Sequence, residues 1–235
     1  MNRLFTTAVC GMILAGLPAI AQEVTGGALA FSHSALLDDS SLSKTGIDGQ
    51  IVVGFGPSIA FQVDLGFNRL NFIDETTSNL TLHSIYNVTD QTSLGLFVGA
   101  DRVAGESLDF VGFEVGQQAA SFDIEAYVGY GEDAGISGTI GGVSGRYAVS
   151  DSFGVGGGLE HGDIGGLNVT RLSLKGDYAV APKLALTAEI GTLDGSGFGA
   201  SGSEAFVGLG GKFTFGDGRG ATFGKRGLIN LLPGL

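Results

Sequence analysis

The segment Gly208-Leu-Gly-Gly-Lys-Phe-Thr-Phe215, near the end of the chain, decides the fold. Its side chains alternate with a period of two, as in a β-strand, where successive side chains point to opposite faces. The apolar face carries Val207, Leu209, Phe213 and Phe215, and the small or polar face carries Gly208, Gly210, Lys212 and Thr214. An apolar outside and a small, polar inside are typical of a barrel wall with lipid outside and water inside.

The same alternation recurs along the chain in segments of about ten residues, the length of a membrane-crossing β-strand. The predicted strands are 25–34, 45–55, 58–68, 79–88, 92–102, 108–117, 121–131, 136–149, 152–161, 167–180, 183–193 and 204–215. Short turns such as 56–57 alternate with longer connections such as 194–203, and both chain ends lie on the short-turn side. We therefore predict an all-β fold, a transmembrane antiparallel up-and-down β-barrel of about 12 strands (10–14).

A soluble β-sandwich or β-solenoid would also alternate, so the composition has to discriminate between the classes. Charged residues make up 15% of the chain, compared with about 25% in soluble domains. The 43 glycines follow no three-residue period, which excludes collagen. The polar face is rich in Gly, Ser and Thr, which suits a confined interior, and we favour the membrane barrel.

The N-terminus has the pattern of a secretory signal peptide. Arg3 precedes the apolar stretch 4–17, and Ala19-Ile-Ala21 forms a small-residue cleavage site. The apolar stretch is shorter than the ~20 residues of a membrane-spanning helix. We predict a signal peptide at 1–21, a barrel at 22–215 and a C-terminal tail at 216–235. Because the only cysteine is Cys10, the mature chain has no disulfide and no cysteine-bound metal.

The last strand ends in Gly210-x-x-Phe213-x-Phe215. With its signal peptide and strand rhythm, the chain resembles the Gram-negative outer-membrane porin and porin-like β-barrel superfamily over about 22–215. The resemblance implies that Gly210, Phe213 and Phe215 form the signal read by the barrel-assembly machinery. It also implies a cell outer membrane location, contact with lipid and lipopolysaccharide, and, as in many porins, a homotrimer. In the family the signal aromatic usually ends the chain, whereas here about twenty residues follow Phe215. Three hypotheses remain open: the last strand runs on toward Phe223, or the tail is a periplasmic extension or a plug.

The resemblance implies passive diffusion of small hydrophilic solutes or ions. Period-two alternation places charged residues on the inward face, and a closed ring separates most acids from most bases. The predicted acidic pore-lining residues are Asp48, Asp64, Glu114, Asp123 and Glu125, and the basic ones are Arg146, Arg171, Lys175 and Lys212. Fixed charges in a narrow aqueous channel concentrate counter-ions, and the slight excess of acids predicts a weak cation preference.

Other functions remain open. A narrow barrel can pair its charges and close, which would give a non-conducting structural or adhesive barrel with a salt-bridged lumen. A barrel lipase or deacylase ranks below both, because the chain has 3 histidines and no Gly-x-Ser-x-Gly elbow. We predict no enzymatic activity, no catalytic residues, no metal and no cofactor. The net charge of −12 argues against a nucleic-acid partner, which would need a basic surface.

Overall fold

A computed structural model gives the fold and describes residues 22–71, 74–133, 136–197, 200–216 and 220–233. The predicted signal peptide at 1–21 lies outside the described residues.

Twelve β-strands of the described residues form one closed antiparallel barrel, in which each strand pairs with its neighbours in sequence. The strands are β1 (Gln22–Leu36), β2 (Ser43–Phe55), β3 (Ile59–Leu70), β4 (Glu75–Asn87), β5 (Thr92–Val103), β6 (Glu106–Gln118), β7 (Phe122–Asp133), β8 (Ile136–Ala148), β9 (Phe153–Ile164), β10 (Leu167–Ala181), β11 (Leu184–Gly197) and β12 (Ala200–Gly216). The predicted fold class and the predicted strand number are confirmed.

The barrel closes where β12 pairs with β1, from Gly26↔Gly216 to Leu36↔Phe206. Closure leaves no free strand edge, so every strand finds its backbone partners on both sides, as a barrel in lipid requires. The register shifts at two places, between Val24 and Gly26 in β1 and between Ala179 and Ala181 in β10. Both irregularities lie near the end of the barrel at which β1 begins and β12 ends, which we call the termini end.

At the opposite end, which we call the loop end, the connections are shorter than predicted. Sequence patterning predicted long loops there, but the strands continue, and β6 follows β5 after Ala104-Gly105 alone. Both residues have positive φ (50° and 89°), as do Gly165 and Gly166 (62° and 85°) between β9 and β10. Two positive-φ residues in a row fit a tight hairpin whose twist matches that of its strands.

The outward face of the barrel is apolar and exposed. Leu209, Phe113 and Leu174 point outward with 69%, 68% and 64% of their surface accessible. Large apolar side chains are exposed on every strand, and contiguous apolar surface of this extent needs a partner phase. An apolar outward band is the pattern of barrels that lie in lipid.

The inward face is polar through the middle of the barrel but apolar toward the loop end. Buried inward residues near the middle include Gln62, Asp64 and Thr81. Nearer the loop end, most strands contribute an inward apolar side chain, and we call this set the apolar layer: Leu36, Leu70, Phe110, Ile140, Ile164, Val169, Leu193 and Phe206. The small or polar inward face that the sequence shows at 208–215 therefore does not extend to this end of the barrel.

The described part of the chain also holds one short helix, α1 (Leu228–Leu231). No helix among the described residues has the length and apolar character needed to cross a bilayer.

Candidate functional site in the lumen

Residues 220–233, which we call the inner segment, lie inside the barrel. The segment starts at the termini end, where Gly220 packs on Gly26 of β1 so closely that a Cβ on Gly26 would lie 2.3 Å from the Gly220 carbonyl oxygen. It ends nearer the loop end, where the Ser34 hydroxyl donates to the carbonyl oxygen of Pro233. The inner segment therefore runs along the lumen from one end of the barrel toward the other.

Two glutamines of the barrel wall hold the backbone of the inner segment. Gln62 Oε1 accepts hydrogen bonds from the backbone N–H groups of Thr222 and Phe223, at 2.9 and 3.1 Å. The carbonyl oxygen of Phe223 accepts from Gln62 Nε2 at 2.8 Å and from Gln50 Nε2 at 3.2 Å. Gln62 thus bonds both polar groups of Phe223, much as a neighbouring strand would.

The ring of Phe223 fills a pocket in the wall. It packs against Val52, Ala60 and Ile85, and it is 2% exposed. A Cβ on Gly95 would lie 2.8 Å from the ring, and one on Gly116 would lie 3.1 Å from it. Glycine at these two inward positions makes room for the ring.

Arg226 is the most enclosed charge of the inner segment, with 2% of its surface exposed. Its guanidinium donates to Glu114 Oε2 at 3.0 Å and to Glu125 Oε2 at 3.4 Å. The guanidinium carbon lies 4.3 Å from the centroid of the Tyr127 ring, within reach of a cation–π interaction.

The neighbouring Lys225 pairs with Asp48 of β2, with Nζ to Oδ2 at 2.7 Å. The inner segment thus presents two cations to one side of the barrel. We call that side the acidic wall, formed by Asp48, Asp64, Asp101, Glu114 and Glu125 on β2, β3, β5, β6 and β7. His83 of β4 lies within the wall, with Nδ1 at 2.7 Å from Glu114 and Nε2 at 3.2 Å from Asp64.

Gly227 lets the inner segment turn into α1. Its φ is 110°, a region that favours glycine, and a Cβ there would lie 2.5 Å from Asp101 Oδ1. Asp101 Oδ2 accepts from the backbone N–H of Ile229 at 3.1 Å. The carbonyl oxygen of Arg226 accepts from Asn79 Nδ2 at 2.9 Å.

The α1 helix packs against the apolar layer. Leu231 is fully buried against Val169 and Leu193. On β2, three strands from β11 around the barrel, Lys44 Nζ donates to the carbonyl oxygen of Ile229 at 2.7 Å and also to that of Leu232. The end of the inner segment therefore contacts both β10–β11 and β2.

A cavity of about 820 Å³ remains beside the inner segment. It is bounded by the inner segment, by β7–β12 and β1, and by a few residues of β2, β3 and β6. Its charged side chains are largely paired. Arg146 forms a bidentate pair with Asp177 at 2.7 and 2.6 Å. Arg171 pairs with Glu160 at 2.7 Å and with Glu189 at 2.5 Å.

No family model and no curated protein matches the chain, but solved structures of outer-membrane channels do. The KdgM porin, solved in complex with disordered oligogalacturonate, is 9% identical with a TM-score of 0.63, over 80% of this chain and 99% of that one. The NanC porin is 12% identical with a TM-score of 0.62, over 79% and 98%. An outer-membrane channel from Pseudomonas putida F1 is 14% identical with a TM-score of 0.55, over 85% and 97%.

The fold is that of the outer-membrane porins. In this porin fold, the nine charged residues predicted to line a pore all lie on the inward face. Seven of them border the remaining cavity: Asp48, Asp123, Glu125, Arg146, Arg171, Lys175 and Lys212. Asp64 and Glu114 do not border it, because they are buried (0% and 4% exposed) among the wall residues and the inner segment. Their role in conduction stays a prediction.

The predicted separation of acids from bases is incomplete. Glu160, Asp177 and Glu189 lie among the basic side chains of β8–β12 and pair with them. Charges enclosed in a barrel are stable only when they are paired or hydrated, so a purely basic arc would be costly. The same period-two alternation could have identified such acids. In β10, Asp177 is separated from Arg171 and Lys175 by an even number of positions, so all three lie on the inward face.

The predicted assembly signal lies at the seam of the barrel. Gly210, Phe213 and Phe215 of β12 are paired with Ser32, Leu29 and Gly27 of β1. Gly210 also fits tightly, since a Cβ there would lie 2.8 Å from the carbonyl oxygen of Phe31. The signal strand is thus followed by a chain that turns back into the barrel, and recognition by an assembly machinery stays a prediction.

Sequence patterning did not predict that Gln50, Gln62 and Asn79 bind the backbone of the inner segment. It also did not predict that the side chain of Arg226 binds Glu114 and Glu125. Their inward parity in the sequence marks Gln50 and Gln62 as lumen residues, but nothing local marks the contact partner. Among the described residues, no group of His, Cys, Asp and Glu has an arrangement suited to a metal ion.

Proposed function

We propose that the protein is an outer-membrane channel for small hydrophilic solutes or ions, in which the inner segment narrows the lumen. The observation that carries the proposal is a cavity of about 820 Å³ along the inside of a closed barrel, lined by charged side chains of both signs. The shared fold of the KdgM and NanC porins supports it.

The inner segment divides the lumen into two parts. Against β2–β7 the lumen is filled by Phe223 and Arg226 and their partners, which are buried. Against β8–β12 it remains open, and a solute there meets Lys175, Lys212 and the Arg146–Asp177 pair. Fixed charges on opposite sides of such a narrow passage orient and select charged solutes.

We propose that the apolar layer forms a constriction of the path. Leu231 packs on Val169 and Leu193 at the loop end, and water leaves apolar constrictions readily. We propose that the arrangement with the inner segment docked is a state of low conductance, and that movement of α1 raises the conductance.

Weak cation preference follows from the acidic wall once its charges are uncovered. In the docked arrangement, Lys225 and Arg226 offset Asp48, Glu114 and Glu125. We propose that the preference for cations is small with the inner segment docked and larger when its two basic residues are removed. Salt reduces the effect, because fixed charges are screened over ~10 Å at 0.1 M ionic strength.

The apolar outward face and the shared fold support a location in the outer membrane, with export by the predicted signal peptide. Both strand termini, Gln22 and Gly216, lie at one end of the barrel, and we propose that this end faces the periplasm. We further propose contacts with lipid and lipopolysaccharide, and recognition of β12 by the barrel-assembly machinery. A homotrimer remains a proposal from the resemblance; β8 and β9, rich in glycine, are the strands that would form its interface.

The second candidate is a non-conducting structural barrel. The full burial of Leu231 and Arg226 favours it, since a docked inner segment with such contacts would keep the lumen closed. A catalytic role has less support. His83 alone of the three histidines faces the lumen, and it is bonded between two carboxylates with 1% of its surface exposed.

Liposome swelling tests the proposed function. Vesicles that contain the full mature chain are placed in iso-osmotic solutions of neutral sugars of graded size. The channel admits arabinose faster than protein-free vesicles do, and the rate falls with solute size. If folded protein leaves the swelling rate at that of protein-free vesicles, even after Lys225→Gln and Arg226→Gln, the structural barrel is the better account.

A further inference from the structure

The contacts of Arg226 form a complete pocket for a guanidinium group. Two carboxylates, from Glu114 and Glu125, accept its hydrogen bonds at 3.0 and 3.4 Å. Two aromatic rings of the barrel wall lie near the carbon of the guanidinium, with centroids at 4.3 Å (Tyr127) and 5.9 Å (Phe97). The ring of Phe223, in the inner segment itself, lies at 6.0 Å. Paired carboxylates and aromatic faces are the two features with which proteins recognise arginine.

The backbone on either side of Arg226 is also recognised. Gln62 bonds the N–H groups of Thr222 and Phe223, Glu125 Oε2 accepts from the N–H of Gly224 at 2.9 Å, and Asn79 donates to the carbonyl oxygen of Arg226. These are backbone contacts, so they do not depend on the side chains of Thr222 or Gly224. The wall therefore binds the peptide backbone around Arg226, and it selects side chains at Phe223 and at the Lys225-Arg226 pair.

The acidic wall keeps unused polar capacity while the inner segment is docked. Asp48 is 5% exposed, and its Oδ2 pairs with Lys225, but its Oδ1 has no hydrogen-bond partner among the described residues. Thr77 Oγ1 and Asn68 Nδ2, on the adjacent strands of the same wall, are buried and also lack partners in the described part of the chain. A wall built only to hold the inner segment would be expected to satisfy these buried groups.

We propose that the acidic wall is a binding site for cationic peptides, with Lys225-Arg226 of the chain's own inner segment occupying it as an internal mimic. The inference rests on the proposed function, because it names the class of solute that the lumen takes. A free peptide carrying adjacent Lys and Arg would place its guanidinium between Glu114, Glu125 and Tyr127, its ammonium at Asp48, and its backbone against Gln62 and Asn79.

The test uses the full mature chain in detergent micelles, with folding checked by heat-modifiable mobility on gels. In the variant Lys225→Gln/Arg226→Gln, the inner segment no longer supplies the two cations. Isothermal titration with N-acetyl-Lys-Arg amide should show binding to this variant at least tenfold tighter than to the wild type. N-acetyl-Gln-Gln amide, the neutral probe, should bind neither protein.

Two further pairs of substitutions in the same variant test whether binding depends on the acidic wall or on the total negative charge of the lumen. Glu114→Gln with Glu125→Gln should weaken the binding of the Lys-Arg probe at least tenfold. Asp177→Asn with Glu189→Gln removes the same charge from β10 and β11, away from the contacts of Arg226, and should change binding less than twofold. If the first pair prevents folding, Asp48→Asn replaces it and should weaken binding severalfold.

The proposal is overturned if the Lys225→Gln/Arg226→Gln variant does not bind the Lys-Arg probe, if the neutral probe binds equally well, or if the two acid pairs lose binding equally. Titration does not require conduction, so the two hypotheses fail separately. If the barrel binds the probe but passes no current, the proposed channel function is wrong and the proposed binding site stands. If it passes current without binding the probe, the channel function stands and the binding site is wrong.

Discussion

Gly227 is the residue at which the inner segment enters α1. Its φ of 110° is strained for any residue with a Cβ, and the Asp101 carboxylate occupies the space where a Cβ would stand. Neither the positive φ nor the close approach of Asp101 is visible from the sequence, where Gly227 is one of 43 glycines. The close approach depends on Asp101, a residue distant in the chain.

Gly227→Ala should loosen the docking of α1. Forcing a residue with a Cβ into such a backbone conformation costs about 1–3 kcal/mol, and 1.4 kcal/mol is tenfold in an equilibrium. With Asn230→Cys as reporter in a chain that has no other cysteine after Cys10, the labelling rate by a water-soluble maleimide should rise roughly tenfold.

The matched control is Gly49→Ala in β2. Gly49 points outward, and a Cβ there would have no atom within 4 Å. This variant should leave the labelling of Asn230→Cys unchanged. Equal rates for the Gly227 variant and the parent protein would mean that α1 is not held in the way described.

At the residue scale, period-two alternation was enough to place all nine predicted charges on the inward face. It could not show that Glu114 and Glu125 would face Arg226, because a contact across 112 residues has no local signature. It also could not assign the glycines at 95 and 116, whose role is to admit the ring of Phe223.

At the scale of the elements, the strand number was predictable and the strand lengths were not. Alternation with an apolar face marks only the part of a strand that lies in lipid. Beyond the lipid, β4 begins with Glu75 and β12 begins with Ala200, in sequence that predicts loop. Outside the bilayer both faces of a strand can be polar, so the pattern that identifies a membrane strand disappears before the strand ends.

The lipid-facing side of β3 gives a quantitative prediction. Val63 points outward and lies near the middle of the strand, so Val63→Arg should destabilise the barrel by roughly 2–4 kcal/mol in lipid. Thr187→Arg, on the inward face of β11 beside the cavity, is the matched control and should cost less. Urea titration of folding into lipid vesicles measures both, and equal costs would argue against the assignment of outside and inside.

The orientation of the barrel predicts which connections face the medium. Because both strand termini lie at the same end as the turns 88–91 and 149–152, Asp90→Cys and Asp151→Cys should be protected from an impermeant thiol reagent in intact cells. Glu75→Cys and Glu106→Cys, at the loop end, should be labelled. All four should react after the outer membrane is opened, and the opposite pattern in intact cells would reverse the orientation.

At the scale of the whole molecule, the barrel and the inner segment are complementary in charge. The acidic wall lies on β2–β7, and the two cations that cover it come from a part of the chain that follows the last strand. The sequence left three places open for residues 216–235: inside the barrel, outside it, or in part in a longer last strand. Neither hydrophobic periodicity nor composition distinguishes them, because the docking depends on the shape of a lumen formed by all the strands.

The most direct test of the account is single-channel recording in planar bilayers across a KCl gradient, with wild type and Lys225→Gln/Arg226→Gln compared. Loss of the two cations should loosen the inner segment and expose the acidic wall, so conductance should rise severalfold and the reversal potential should shift toward cation preference. Arg69→Gln/Arg102→Gln removes the same charge outside the lumen and should behave as wild type. Identical conductance and reversal potential in all three proteins would contradict a channel governed by its inner segment.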